Sequence, residues 1–258
     1  MLRQLALLTC LLLAVLGCET LDSETLRGND ELHATFEVTI EDDGVTEVEA
    51  VLRVGGPLSN VTLDLSDGDE LVASADRTSD VLRRKRVLGM ISYIAELPTD
   101  RGGTDLQVAL FRPNDVDAPG TYVTLPERIV VRQPEAGDAF SWDGESITVA
   151  WSPSRQPGTV LLDFNGSCGD FDFHTTKELE SDPGRATYAI DDLVPAHIRA
   201  AANGCGVDIS LTRRIEGVID RSYGEGGHIV AKRRTGTFVS FVPGSSARQT
   251  ATASTPVR

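Results

Sequence analysis

Seven residues, Asp64-Leu65-Ser66-Asp67-Gly68-Asp69-Glu70, bring four carboxylates close together. Acidic oxygen-rich loops suit calcium, a hard cation. The loop lacks the twelve-residue ligand spacing of a helix–loop–helix calcium site. Leu63 and Leu65 share a core phase, which turns Asp64 outward, so a solvated hairpin tip is the expected structure. Asp170 and Asp172 flank Phe171. The alternation there reads as a strand with Phe171 and Phe173 inward rather than as a metal site. His33, His174, His197 and His228 fall at no metal-ligand spacing and read as surface or packing residues. No G-x-S-x-G nucleophile elbow occurs. No catalytic residue, metal or cofactor is therefore assigned, and the chain is expected not to be an enzyme. That expectation rests on the residues alone, because a fold never excludes an activity.

Two basic runs remain, Arg83-Arg84-Lys85-Arg86 and Lys232-Arg233-Arg234. They have the chemistry to meet anionic lipid or acidic glycan. The simpler reading is a solvated loop and an edge strand, where Lys and Arg block unwanted pairing. The whole chain, 258 residues with 24 bases against 39 acids, has a net charge of -15. Such a surface repels nucleic acid, which is excluded as a partner. With 40% hydrophobic and 24% charged residues, the chain is neither disordered nor a multi-span membrane protein.

The first residues carry an address. Arg3 is a short positive start, and Leu5 to Leu16 is an apolar run broken by Thr9. The run is shorter than the ~20 residues a spanning helix needs, so it reads as the core of an export signal. Val15-Leu16-Gly17-Cys18 follows and resembles the lipobox of bacterial lipoproteins. The resemblance implies a signal peptide of residues 1–17 and a mature chain whose Cys18 carries fatty acyl groups. It implies a partner too, the membrane, reached through that lipid. Glu19 stands where Asp often marks inner-membrane retention, so the expected location is the outer membrane. Cys10 then leaves with the signal and Cys18 takes the lipid. Cys168 and Cys205 remain as an even pair in an oxidising compartment, and a disulfide is expected.

Residues 18–31 are polar and acidic and read as a tether. From Ala34 the hydrophobic period becomes two. Phe36, Val38 and Ile40 alternate with polar residues, Asp43-Gly44 marks a hairpin, and Val48, Ala50, Leu52 and Val54 continue the pattern. Val61 to Leu65 leads to Asp67-Gly68, a second hairpin signal. Short strands follow at Leu71–Ala73, Met90–Ala95, Leu106–Leu110 and Tyr122–Leu125. A second unit opens near residue 128, with strands at Ile147–Trp151, Val160–Phe164, Val207–Leu211, Ile229–Ala231 and Thr237–Val242. Leu193 to Asn203 is the one expected helix.

Gly144-Glu145-Ser146-Ile147-Thr148-Val149-Ala150-Trp151-Ser152-Pro153 resembles the early strands of a fibronectin type III or related Ig-like domain, and so does Leu193-Val194-Pro195. The resemblance spans residues 130–243. The tyrosine that this family places a few residues later is missing, since His197-Ile198 and an Ala-rich stretch stand there. The expected fold is all-β: two tandem antiparallel β-sandwich domains after the signal peptide. Residues 32–127 form the first, residues 128–243 the second, and residues 244–258 a disordered tail. Chains of this kind present surfaces. The leading expectation is a non-catalytic structural or binding role at the envelope, with a protein or glycan partner. A calcium- or glycan-binding module is one alternative, and an accessory lipoprotein of an export or assembly machine is another.

Overall fold

In an extended chain successive side chains point to opposite faces, so the alternating segments each bury one side. The computed structural model describes residues 19–41 and 43–244. The signal-like residues 1–17, Cys18 and residues 245–258 of the tail lie outside them. The first half of the chain forms β1 (Glu19–Asp22), β2 (Leu32–Ile40), β3 (Thr46–Val54), β4 (Val61–Asp64), β5 (Glu70–Ala75), β6 (Thr78–Val81), β7 (Arg83–Val87), β8 (Met90–Leu97), β9 (Asp105–Phe111) and β10 (Ala118–Thr124). The second half forms β11 (Val131–Gln133), β12 (Ala139–Ser141), β13 (Ser146–Trp151), β14 (Thr159–Cys168), β15 (Phe171–Leu179), β16 (Arg185–Ala189), a six-residue helix α1 (Ala196–Ala201), β17 (Cys205–Glu216) and β18 (Gly227–Val242). The chain is all-β apart from α1 and two single 3-10 turns among the described residues. The expected helix over 193–203 shrinks to α1, because Leu193 and Val194 are buried in the turn that precedes it.

Two cores form. Phe36, Leu52, Leu63, Leu71, Ile91 and Leu106 fill the first, between the sheet that holds β2, β3 and β8 and a four-stranded sheet in the order β10-β9-β5-β6. Trp151, Val160, Phe164, Ile209 and Phe241 fill the second, between β14, β15, β17 and β18 and a small sheet in the order β11-β13-β16.

The two units do not separate at residue 128. One eleven-stranded sheet runs through both, with the path β1-β4-β3-β2-β18-β17-β14-β15. β18 has 16 residues, about 53 Å of chain at ~3.3 Å per residue. Its first half pairs with β2, Gly227 opposite Ala34 through Arg233 opposite Ile40, and its second half serves the second core. Ile215, Tyr223, Ile229 and Ala231 therefore belong to the first core, although they follow the second unit's other strands. The expectation of purely antiparallel sheets is also corrected. β18 meets β2 in parallel, as β1 meets β4 and β12 meets β18. One edge of β2 is already held by β3, so the returning strand takes the other.

The expected tether is corrected as well. Residues 19–22 are strand β1, and Leu26 is buried. The cause lies in one side chain. Arg112 is 3% exposed and donates to the backbone carbonyls of Ser23, Leu26 and Gly28 and to Asn29 Oδ1, at 2.8–3.0 Å. Its Nε meets Asp69 Oδ2 at 3.0 Å. A polar segment with its carbonyls so engaged cannot be a loose spacer. The Asp67-Gly68 turn also differs from expectation. It carries positive φ at both residues, but β4 and β5 lie in different sheets, so it is a crossing between layers rather than a hairpin.

Candidate binding face

β14 and β17 are neighbours with Ser167 opposite Gly206, so the next residues, Cys168 and Cys205, face each other across the strands. They form the disulfide, with Cα atoms 4.1 Å apart. The expected strands Val160–Phe164 and Val207–Leu211 stop short of both cysteines; β14 and β17 extend further and include them. It closes a segment with a sequence separation of 37. Replacing both cysteines with alanine is expected to lower unfolding free energy by about 3–4 kcal/mol through loop entropy, measured by denaturant titration against the oxidised protein.

The acidic loop is occupied by the protein's own cations. Asp64 takes Arg84 in a two-point bond at 2.6 and 2.7 Å. Asp67 accepts from the Asn114 amide, and Asp69 is the buried partner of Arg112. Among the described residues no group of His, Cys, Asp and Glu is arranged to hold a metal ion. Melting temperatures in chelator and in millimolar calcium are expected to agree. A calcium-dependent rise would show binding to the native state.

The outward face of the shared sheet carries a further polar arrangement. Register places His174, Asn165, Asp208 and Phe238 in one row across β15, β14, β17 and β18. His174 Nδ1 lies 2.7 Å from Asn165 Oδ1, and its Nε2 lies 3.0 Å from Thr176 Oγ1. Thr176 donates to Asp163 at 2.6 Å. In the same neighbouring row as Thr176 and Asp163, Ser210 accepts from Arg234 at 2.6 Å. A Cβ at Gly206 would stand 2.9 Å from the Phe238 ring, so the ring lies over that glycine, and a Cβ at Gly236 would stand 3.0 Å from the Ile209 carbonyl oxygen. The result is an open cleft of about 810 Å³ over Asn165, Asp208, Ser210 and Phe238. An adjoining recess of about 520 Å³ reaches His174 and Asp172. Phe238 keeps 47% of its surface exposed.

This face has carboxylates, an amide and hydroxyls to exchange hydrogen bonds, and an aromatic plane for apolar contact. Such groups can exchange hydrogen bonds with a hydroxyl-rich molecule. Asp172 points to this side from β15, while Phe173 enters the core. Phe171, expected inward, is 40% exposed because it sits at the strand's end, past the core's edge. His33 binds the Glu225 carbonyl and stands apart from His174. The basic runs divide. The first, expected as a solvated loop, is instead the exposed edge strand β7, which pairs only with β8 among the described residues. The second run lies in β18, between β17 and β2, and is no edge.

Sequence reasoning missed two buried arginines at the joint between the cores. Arg213 and Arg233 are direct cross-strand neighbours, 2% and 3% exposed. Like charges so placed repel unless each has its own anion. Arg213 has Asp182, at 2.5 Å, and Arg233 has Asp100, at 3.2 Å. Both also hold the linker between the units. Arg213 donates to the Glu127 carbonyl at 2.6 Å, and Arg233 reaches the Pro126 carbonyl. The signal was present: period two puts Arg213 in phase with Val207, Ile209, Leu211 and Ile215, facing inward.

Comparison with known proteins adds little. No family model matches the chain, and no curated protein matches it. Among solved structures it is similar to the FN1–FN3 domains of chicken CNTN1, at 11% identity over 81% of this chain and 68% of that chain. The TM-score is 0.23, too low to bear on function.

Proposed function

We propose that this chain is a non-catalytic lipoprotein of a bacterial envelope, held in the outer membrane through acyl groups on Cys18, and that it binds a partner on the outward face of its shared sheet. The second unit is read as an Ig-like sandwich fused to the first through β17 and β18. The observation that carries the binding reading is the cleft over Asn165, Asp208, Ser210 and Phe238. Its size falls in the range of ligand sites, and it rests on strands rather than loops, which gives a preformed surface. The exposed Phe238 beside Asp208 favours a glycan over a calcium ion. A ring face can stack on the C–H side of a sugar while carboxylate and amide take its hydroxyls.

A photoreactive side chain at position 167, on the rim of the adjoining recess, tests this in intact cells. A carbohydrate adduct that disappears in Asp208→Ala supports the glycan reading. A protein adduct with the same dependence supports the accessory role in an assembly machine. Absence of any adduct contradicts the binding face.

A further inference from the structure

The β7–β8 hairpin has a composition that its own sheet does not explain. Its tip, Leu88-Gly89, turns with φ of 50° and 88°. A leucine in the left-handed region is strained, yet Leu88 is 97% exposed and buries nothing in return. Val87 and Met90 on either side are also exposed. Behind this apolar tip come Arg83, Arg84, Lys85 and Arg86, all exposed along the edge strand. Arg84 is held by Asp64; Arg83, 85% exposed and 4.0 Å from Asp80, and Lys85 lie on the outer face with Ile94 and Ser92.

The place of this tip matters as much as its make-up. Ile91 N bonds Thr62 Oγ1, so the tip lies at the Val61 end of β4. Val61 is paired with Glu19, the residue next to Cys18. Arg86 Nη2 is 3.4 Å from Thr20 Oγ1. The loop between β3 and β4 ends there too and carries Leu58, which is 99% exposed. Glu19 and Glu225 share this end, so the positive charge comes from the hairpin itself. Bases behind an apolar tip, at the point where the chain leaves its lipid, match the layering of an anionic bilayer: phosphates outside, hydrocarbon within.

We propose that the β7–β8 hairpin is a second membrane contact, with Leu88 entering the interface of an anionic phospholipid bilayer and Arg83, Lys85 and Arg86 meeting its phosphates. This sets the orientation of the body, and hence of the cleft, relative to the membrane. It rests on the lipoprotein reading only for which surface is met, and its affinity is measurable without the acyl chains.

The test uses the full mature chain with Cys18→Ala. The vesicles are either phosphatidylcholine alone or equal parts phosphatidylglycerol and phosphatidylcholine. The protein is expected to sediment with the anionic vesicles, to leave them in half-molar salt, and to ignore the neutral ones. Arg83→Gln with Lys85→Gln should weaken binding about thirtyfold, taking each base as worth about 1 kcal/mol near such a surface. An environment-sensitive dye on Leu88→Cys should shift to the blue on anionic vesicles. Binding that is unchanged in the double variant, or a dye that stays in water, overturns the proposal. A positive result with an unmodified Cys18 in cells would leave the hairpin standing and remove only the lipid anchor. A lipidated Cys18 with a non-binding hairpin would do the reverse.

Discussion

Arg112→Ala is expected to lower unfolding free energy by about 3–5 kcal/mol, the usual cost of breaking a buried pair from one side. The guanidinium lies against Asp69, whose side chain is 7% exposed, and Asp115 stands 3.3 Å away. Removing the cation leaves the Asp69 carboxylate buried without its charge partner. It also strands the carbonyls of Ser23, Leu26 and Gly28. The loss should appear locally first. Residues 22–31 should gain fast amide exchange and protease cleavage while β14 and β17 stay protected. Arg112→Lys should rescue little, because an ammonium cannot span the same fork of acceptors. The segment also responds to acid. The Gly28 N–H, which donates to Asp115, holds that carboxyl below its ordinary range. A depressed folded value stabilises above the unfolded pKa, and the contribution disappears as pH falls through the folded value. Unchanged exchange at residues 22–31 in Arg112→Ala would show that Arg112 is not what holds this segment.

Arg213→Ala should cost a similar amount, about 3–5 kcal/mol, but at a different place. Asp182 accepts from Arg213, from Trp151 Nε1 at 2.6 Å and from the Ser154 amide at 2.9 Å, and its side chain is 5% exposed. The variant leaves this carboxylate buried and releases the carbonyls of Glu127 and Ser152. Cleavage should appear at 126–128, the linker between the cores. Replacing both partners by apolar residues, Arg213→Met with Asp182→Leu, should recover much of the loss, since it removes the buried charges together. Denaturant titration of the two single variants and the double supplies the coupling. If the singles and the double are equally destabilised, the ion pair is not what closes the joint.

The strands were legible because burial on one face forces period two; β2, β13 and β14 keep it over their whole length, and β3 keeps it as far as Arg53. The joint was not. Pairing of β18 with β2 joins residues some two hundred positions apart, and nothing local announces it. Gly227 is part of the reason it works: a Cβ there would lie within 1.9 Å of the Ala34 carbonyl oxygen, so only glycine admits the approach. Arg213 and Arg233 carried a readable phase, but a charged residue was taken as outward by type. The binding face was hidden for another reason. Asn165, His174, Asp208 and Phe238 come from four strands, and only the register of three ladders brings them into one row. Tip residue Leu88 gave no signal of its own beside the run Arg83–Arg86, because its exposure depends on the hairpin having nothing packed above it.

The lipid anchor on Cys18 is tested by the mass of the mature N-terminal peptide. From envelope-purified protein this peptide should begin at Cys18 and carry acyl mass, and Cys18→Ala should remain uncut with its residues 1–17 attached. A mature chain that begins elsewhere, or a Cys18 with a free thiol, would contradict a lipid-held protein at the envelope.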